Sequence, residues 1–328
     1  MQVEPTLAVV IVNFRTADLA IDCLASLAVP GTVPEKTRIV IVDAVSGDGS
    51  AEKIAAAIAE RGWAGNVDFR ALDVNGGFSY GNNRAIDHAL EAGRPDYVLL
   101  LNPDTVARPG SIRSLVSFME RHPAAGIAGS RLEDPDGTPQ ACAFRFPSLA
   151  ADFESEVRFG PVTRLLRRWQ VAPPMPDTPA RIDWVSGASM LVRYDVFEEI
   201  GGLDEDYFLY YEEVDFCLRA AKAGWECWHV PASRVVHLVG QATGVTLRDR
   251  RPARRPSYWF NSRKRYYLKH HGAAYRLMAD TAWVVGHVLC RMRMFLEGKR
   301  SGGPPKLLGD FIRHASPVTT IDGGKPRR

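Results

Sequence analysis

The chain is poor in cysteine, in net charge and in long apolar runs. Its five cysteines (Cys23, Cys142, Cys217, Cys227, Cys290) are scattered, and none forms a CxxC pair. An odd, dispersed set argues against a disulfide framework and against a structural zinc site. The N-terminal stretch MQVEPTLAVVIVNF has no basic leader and an apolar run of only strand length, so it does not read as a secretory signal. No uncharged apolar stretch approaches the ~20 residues that cross a bilayer. The longest one near the C-terminus, residues 281–290, is followed by Arg291 and Arg293. A soluble cytoplasmic protein is the expectation from these absences. Gly and Pro are ordinary and 46% of the residues are apolar, which excludes collagen-like, mucin-like and disordered chains. The 328 residues suffice for one large domain or about two smaller ones.

The scarcity of net charge is an average over two unlike parts. Lys and Arg number 41 and Asp and Glu 38, a balance of +3. Residues 250–328 hold 18 basic and 4 acidic side chains, a net of +14, which leaves −11 for residues 1–249. An acidic body with a basic tail suggests a polyanionic partner: nucleic acid, an anionic membrane or a phosphorylated substrate. No nucleic-acid motif accompanies the charge, so nucleic acid is set aside.

What is present in the first 130 residues is an alternation of short apolar runs and helix-period segments. Strands are expected at 7–12, 39–42, 67–72 and 97–101, and helices at 15–27, 50–61 and 79–91. Continuous rather than alternating apolar strands, separated by helices, predict a parallel sheet covered on both faces, with ligands beyond the strands' carboxyl ends. Those ends carry Asn13, Asp43, Asp73 with Asn75, and Asn102 with Asp104. Asn and Asp also cap helices, but Asp104 lies in a Pro-flanked loop several residues before its helix. Residues 131–185 read as an irregular insertion with a Pro-rich loop. Order resumes at WVSGASMLV, with Asp195 as N-cap of a short helix. A helix then runs from Glu212, and closing strands are expected at 225–230 and 234–238. There is no internal repeat.

Three segments carry chemistry. Asn102-Pro103-Asp104 ends a buried strand, where a carboxylate can hold a hard divalent cation on a diphosphate. NGGFSYGNN (75–83) joins a strand to a helix, a place where glycines and a helix N-terminus favour phosphate oxygens. It is neither a Walker A loop nor GxGxxG, which weakens ATPase and dinucleotide readings. LDEDYFLYYEEVD (203–215) interleaves acids with aromatics. Carboxylates suit a helix start, and desolvation by aromatics would also make one a general base. His237 follows at a strand end, either as a core histidine or as a ligand.

Taken together, VVIVNF, IVDAVSGDGS, NGGFSYGNN, LLLNPDT, WVSGASMLVR and GGLDEDYFLYYEEVDFCLR, followed by His237, resemble the inverting GT-A glycosyltransferases of family 2, particularly their bacterial rhamnosyltransferase-like branch. The resemblance covers residues 7 to about 240. It implies an α/β GT-A fold, Rossmann-like and doubly wound around a mostly parallel sheet, over residues 1–245. A basic, aromatic helical extension (246–300) and a disordered tail (301–328) would follow.

The resemblance also implies roles. Asn13 and Asp43 would contact a pyrimidine nucleotide, Asp43 accepting from the base N3–H. Gly77, Asn82 and Asn83 would lie near ribose and diphosphate, with Asn102 also on the donor side. Asp104 and His237 would hold Mg2+ or Mn2+. Trp184, Gly187, Asp204 and Tyr211 would face sugar or acceptor. The general base falls on Glu213, with Glu212 its alternative. Three positions depart from the family pattern: Ala44 replaces an Asn, Asn102 replaces the first acid of the metal motif, and Glu213 replaces an Asp.

The implied reaction is transfer of a hexose, best matched by L-rhamnose from a dTDP donor with UDP as the other nucleotide, to a glycan or polyprenyl-diphosphate-linked acceptor. Residues 250–296 would meet the inner face of an anionic membrane. Two rivals remain at this point, a non-catalytic nucleotide-sugar-binding module and a sugar nucleotidyltransferase.

Overall fold

The computed structural model describes residues 4–238, 252–299 and 303–315. Its first half is the expected alternation: β1 (Leu7–Asn13), α1 (Ala17–Leu27), β2 (Thr37–Asp43), α2 (Ser50–Glu60), β3 (Val67–Ala71), α3 (Phe78–Leu90), β4 (Tyr97–Leu101), β5 (Thr105–Ala107), α4 (Ser111–Arg121) and β6 (Ala125–Glu133). The unbroken apolar strands are explained by burial on both faces. Leu7, Val9 and Ile11 of β1 enter one core with α1, α2 and α4. Ala8 and Val10 enter the other, with α3 and two later helices. Each such side chain withdrawn from water contributes roughly 1.5–3 kcal/mol.

The remaining elements are β7 (Ala143–Phe144), α5 (Leu149–Val157), α6 (Gly160–Leu165), β8 (Ala180–Ile182), β9 (Trp184–Val185), β10 (Ser189–Arg193), α7 (Tyr194–Ile200), α8 (Glu212–Lys222), β11 (Glu226–His237), α9 (Ser257–Leu296) and α10 (Leu307–Ala315). Strands β3-β2-β1-β4 are parallel, whereas β10 enters antiparallel between β4 and β6, and the order continues to β11 and β5. The sheet is therefore mixed beyond β4. The stretch 131–185 is more ordered than its Pro content suggested: α5 packs on α9, and β7 pairs with β9. The two expected closing strands are one, β11, whose register against β6 shifts between Val230 and Arg234. Arg193, not Asp195, caps the short helix α7; Asp195 lies in its first turn.

The basic extension is a hairpin. α9 breaks at Gly272 (φ 83°, ψ 174°) into arms 257–271 and 273–296. Arg263 and Asp280 would lie about 25 Å apart along one straight helix, yet Arg263 Nη1 is 2.5 Å from Asp280 Oδ1. Phe260 and Trp283 share a core cluster, so the arms run antiparallel. Helix α10 falls inside the stretch expected as a disordered tail and stacks Phe311 on Trp283 at 3.9 Å. Arg250, Arg251, the 245/246 boundary and residues 316–328 lie outside the described residues.

Candidate functional site

The polar strand tips do gather on one rim. Asn13 and Asp43 are direct partners at the ends of β1 and β2. Asn13 Nδ2 donates to Asp43 Oδ1 (2.7 Å). Ser46 donates its hydroxyl to the same oxygen (2.6 Å) and its backbone N–H to Oδ2 (2.9 Å). Oδ2 keeps accepting capacity for a ligand donor. The loop at the departure Ala44 is held without a side chain there: Ala44 is buried and its N–H reaches Asn13 O at 2.8 Å.

The glycine loop is fastened to the acidic-aromatic segment. Phe78 N donates to Phe208 O at 2.8 Å, and a Cβ at Gly77 would collide with that same carbonyl oxygen. Gly77 also has φ 89°, a left-handed state that favours glycine. Asn83 donates to Leu203 O (2.8 Å) and to Glu205 (2.9 Å), and accepts from Leu203 N (3.0 Å). Asn82 Nδ2 donates to Phe78 O at 2.9 Å. The amides expected near ribose and diphosphate are thus occupied by the protein. Asn83 joins the loop to residues 203–205.

Across the rim, β11 pairs antiparallel with β5 and sets His237 opposite Thr105, one residue from Asp104. His237 Nε2 stands 3.5 Å from Asp104 Oδ1. Asp104 Oδ1 and Asn102 Oδ1 are both buried and receive no hydrogen bond. An unsatisfied carboxylate oxygen beside an imidazole, with a second unsatisfied oxygen two residues earlier in the chain, suits a hard divalent cation, so these residues fit one. Among the described residues no group of three or more His, Cys, Asp or Glu converges on a metal position, which leaves further ligands to a substrate.

Between these lies the carboxylate pair. Helix α8 opens at Glu212 directly after Tyr210 (φ 69°) and Tyr211 (φ 71°), two successive left-handed residues. Such backbone states persist only where the surroundings impose them. Glu212 Oε2 and Glu213 Oε2 are buried without a hydrogen bond. Burial pushes Glu213 up to about 7, and burial together with the charge of Glu213 holds Glu212 well above the usual carboxylate range. Glu213 is half-buried beside Gly187. A Cβ on Gly187 would lie 3.8 Å from Glu213 Cβ and 3.5 Å from Phe78 Cε1, so the 186–188 turn, α3 and α8 meet there. Asp215, the third acid of the turn, is different. Burial would raise it, but bonds from His270, Lys269 and Arg219 outweigh burial and hold it far below the usual range.

The four residues expected to face sugar or acceptor divide. Gly187 stands beside Glu213, and Tyr211 immediately precedes the pair with its ring on Tyr266 (5.4 Å). Trp184 is spent on the protein, its Nε1 donating to Arg145 O (2.9 Å) and its ring stacked on Phe144. Asp204 is ion-paired with Arg265 (2.9 Å) and Lys269 (2.7 Å). Sequence reasoning missed Ser46, Phe208, Lys269 and His270. For the last two the available signal was the complementarity of the acidic run 204–215 and the basic run 263–269.

A family profile described as "Glycosyltransferase like family 2" matches residues 5–266. The N-acetylglucosaminyl-diphospho-decaprenol L-rhamnosyltransferase of Mycobacterium tuberculosis is 33% identical over 228 residues, 66% of this chain and 67% of that protein. Rhamnosyltransferase WbbL of Escherichia coli is 28% identical over 164 residues, 49% of this chain and 60% of its own. Among solved structures, the mannosyltransferase PcManGT of Pyrobaculum calidifontis, in complex with GDP-Man and Mn2+, superposes with a TM-score of 0.52 at 15% identity. It covers 92% of this chain and 78% of that one, a likeness of fold.

Proposed function

The chain belongs to glycosyltransferase family 2 and is a GT-A glycosyltransferase that uses a nucleotide sugar; from that membership we propose inverting transfer of L-rhamnose from dTDP-rhamnose to a hydroxyl of a polyprenyl-diphosphate-linked glycan. The rhamnose and the lipid-linked acceptor follow the names of the relatives, one a diphospho-decaprenol L-rhamnosyltransferase. The observation that carries the chemistry is Glu213: a carboxylate with an unsatisfied buried oxygen, raised to about 7, beside Gly187. A base poised near neutrality can take a proton from an acceptor hydroxyl while remaining ionised enough to act.

Asp43 and Asn13 seat the nucleotide base. The Gly77–Phe208 contact fixes the loop over the ribose and diphosphate. Glu213 accepts the acceptor's proton as its oxygen attacks the anomeric carbon from the face opposite the leaving diphosphate, which inverts the configuration. Asp104 and His237 would hold Mg2+ or Mn2+, with Asn102 beside them, and that cation supplies charge compensation for the diphosphate.

The membrane-facing surface we assign to the outer side of the second α9 arm. Leu277, Met278, Val285, Val288, Leu289, Met292, Phe295 and Leu296 form an exposed helical stripe, the last two 83% exposed, flanked by Arg291 and Lys299. No helix among the described residues is long and apolar enough to cross a membrane. A stripe of this kind with flanking cations suits an anionic bilayer surface, in whose plane the arm would lie.

The test is a donor screen with dTDP-rhamnose, UDP-sugars and GDP-mannose on a synthetic prenyl-diphosphate-linked acceptor, with and without Mn2+, and NMR of the product anomer. Transfer from dTDP-rhamnose with inversion, abolished in Glu213→Gln while donor binding persists, is expected. Full turnover in Glu213→Gln, or donor binding without turnover in the parent chain, overturns the reading.

A further inference from the structure

The loop that delivers the base, residues 204–211, is shaped by the first arm of the C-terminal hairpin. Tyr258 packs on Phe208 (5.5 Å) and Tyr210 (6.1 Å), Ser262 Oγ donates to Leu209 O (3.0 Å), and Tyr266 packs on Tyr211 (5.4 Å). At the end of this arm, Lys269 Nζ lies 2.7 Å from Asp204 Oδ2 and 2.7 Å from Asp215 Oδ1. These two acids bracket the segment that contains the left-handed Tyr210 and Tyr211 and the pair Glu212–Glu213. His270 Nε2 adds a second contact to Asp215 at 2.7 Å, and Arg219 a third at 2.8 Å. Asp215 is completely buried, so its charge has no solvent to compensate it.

We propose that Lys269 is a positioning residue for the transfer reaction: by bridging Asp204 and Asp215 it clamps the strained 204–215 segment so that Glu213 is held in place beside Gly187. The inference rests on the glycosyltransferase reading for its kinetic consequence, and on geometry alone for the clamp. A strained loop relaxes toward ordinary backbone states when its ends are released, and a displacement of about 1 Å at a reacting group costs as much as 100-fold in rate. The clamp is made of Asp204, held by Arg265 and Lys269, and Asp215, held by Arg219, Lys269 and His270.

The experiment compares Lys269→Met and Lys269→Arg in the full chain. In Lys269→Met, kcat falls by about 100-fold with donor affinity by calorimetry unchanged. Amide exchange across 204–213 accelerates at least tenfold. Lys269→Arg, which keeps the charge and the reach, restores most of each. Parental kcat and parental exchange in Lys269→Met overturn the proposal. So does a rate loss that only tracks lost folded protein, with unchanged exchange in 204–213. If the parent chain transfers no sugar, the glycosyltransferase reading fails, while the exchange comparison still decides the clamp.

Discussion

Replacing Glu213 by Gln should stabilise the protein above neutral pH while removing its activity. The carboxyl rises from an ordinary 4.5 to about 7, first because burial strips its water; bonds from nearby backbone N–H groups only partly offset this. A raised carboxyl favours the folded state when protonated, so its contribution is fully present at low pH and is lost as pH climbs through about 7. A shift of that size is worth about 3 kcal/mol at pH 8 and under about 1 kcal/mol at pH 5. Glutamine keeps the shape without the charge, and it also removes the second cause of the upward push on Glu212. With an unfolding entropy of about 2.1 cal/mol/K per residue, 3 kcal/mol over a chain of this length corresponds to a Tm gain of about 4 °C at pH 8. Thermal or urea melts of both proteins between pH 5 and pH 8 read the difference directly. Curves that run parallel over that range would falsify the claim that Glu213 sits desolvated in the folded state.

Two further outcomes follow from packing. Gly77→Ala places a Cβ on the Phe208 carbonyl oxygen at a φ of 89°, so it should cost about 2–4 kcal/mol and weaken donor binding, measured by melting and calorimetry; an unchanged Tm refutes the contact. The double change Leu289→Asp and Phe295→Asp puts charge on the exposed stripe of α9. Co-sedimentation with anionic vesicles should drop at least tenfold, with transfer to a water-soluble acceptor retained; equal binding of both proteins removes the stripe from the membrane assignment.

The parts of the fold that could be read in advance are those whose cause is local. The runs 7–12, 39–42 and 97–101 have no polar face because both sides are covered, and their polar tips converge because parallel strands end at one edge. Asp104 and His237 were named together only through the resemblance, and the pairing of β11 with β5 brings them within 3.5 Å. What escaped depends on distant partners. Nothing around Ser189–Arg193 announces that this strand will enter antiparallel between β4 and β6. The turn at Gly272 has a single residue as its signal, and only the Arg263–Asp280 and Phe260–Trp283 contacts reveal two arms. Asn83 and Asp204, which the resemblance placed near ligand, also hold distant partners that the sequence does not announce: Leu203 O and Arg265.

The charge asymmetry changes meaning in the same way. A tail of +14 against a body of −11 suggested an external polyanion. Part of that charge is satisfied by the body: Arg263 with Asp152, Arg265 with Asp204 and Asp206, Lys269 with Asp204 and Asp215, while Arg254 with Asp310 and Arg263 with Asp280 pair inside the tail itself. Asp152 shows what this pairing offsets, since burial raises its proton affinity despite Arg263 beside it. Stripping a partner from a buried ion pair costs about 3–5 kcal/mol, so removing the Arg263 guanidinium while Asp152 stays buried should be strongly destabilising. The family match itself runs to residue 266, inside that arm. The basic extension is therefore first a counter-charge and a mould for the loop that presents Glu213. In the proposed membrane contact it would offer the apolar side of its second arm, where the exposed residues include Leu289, Met292, Phe295 and Leu296.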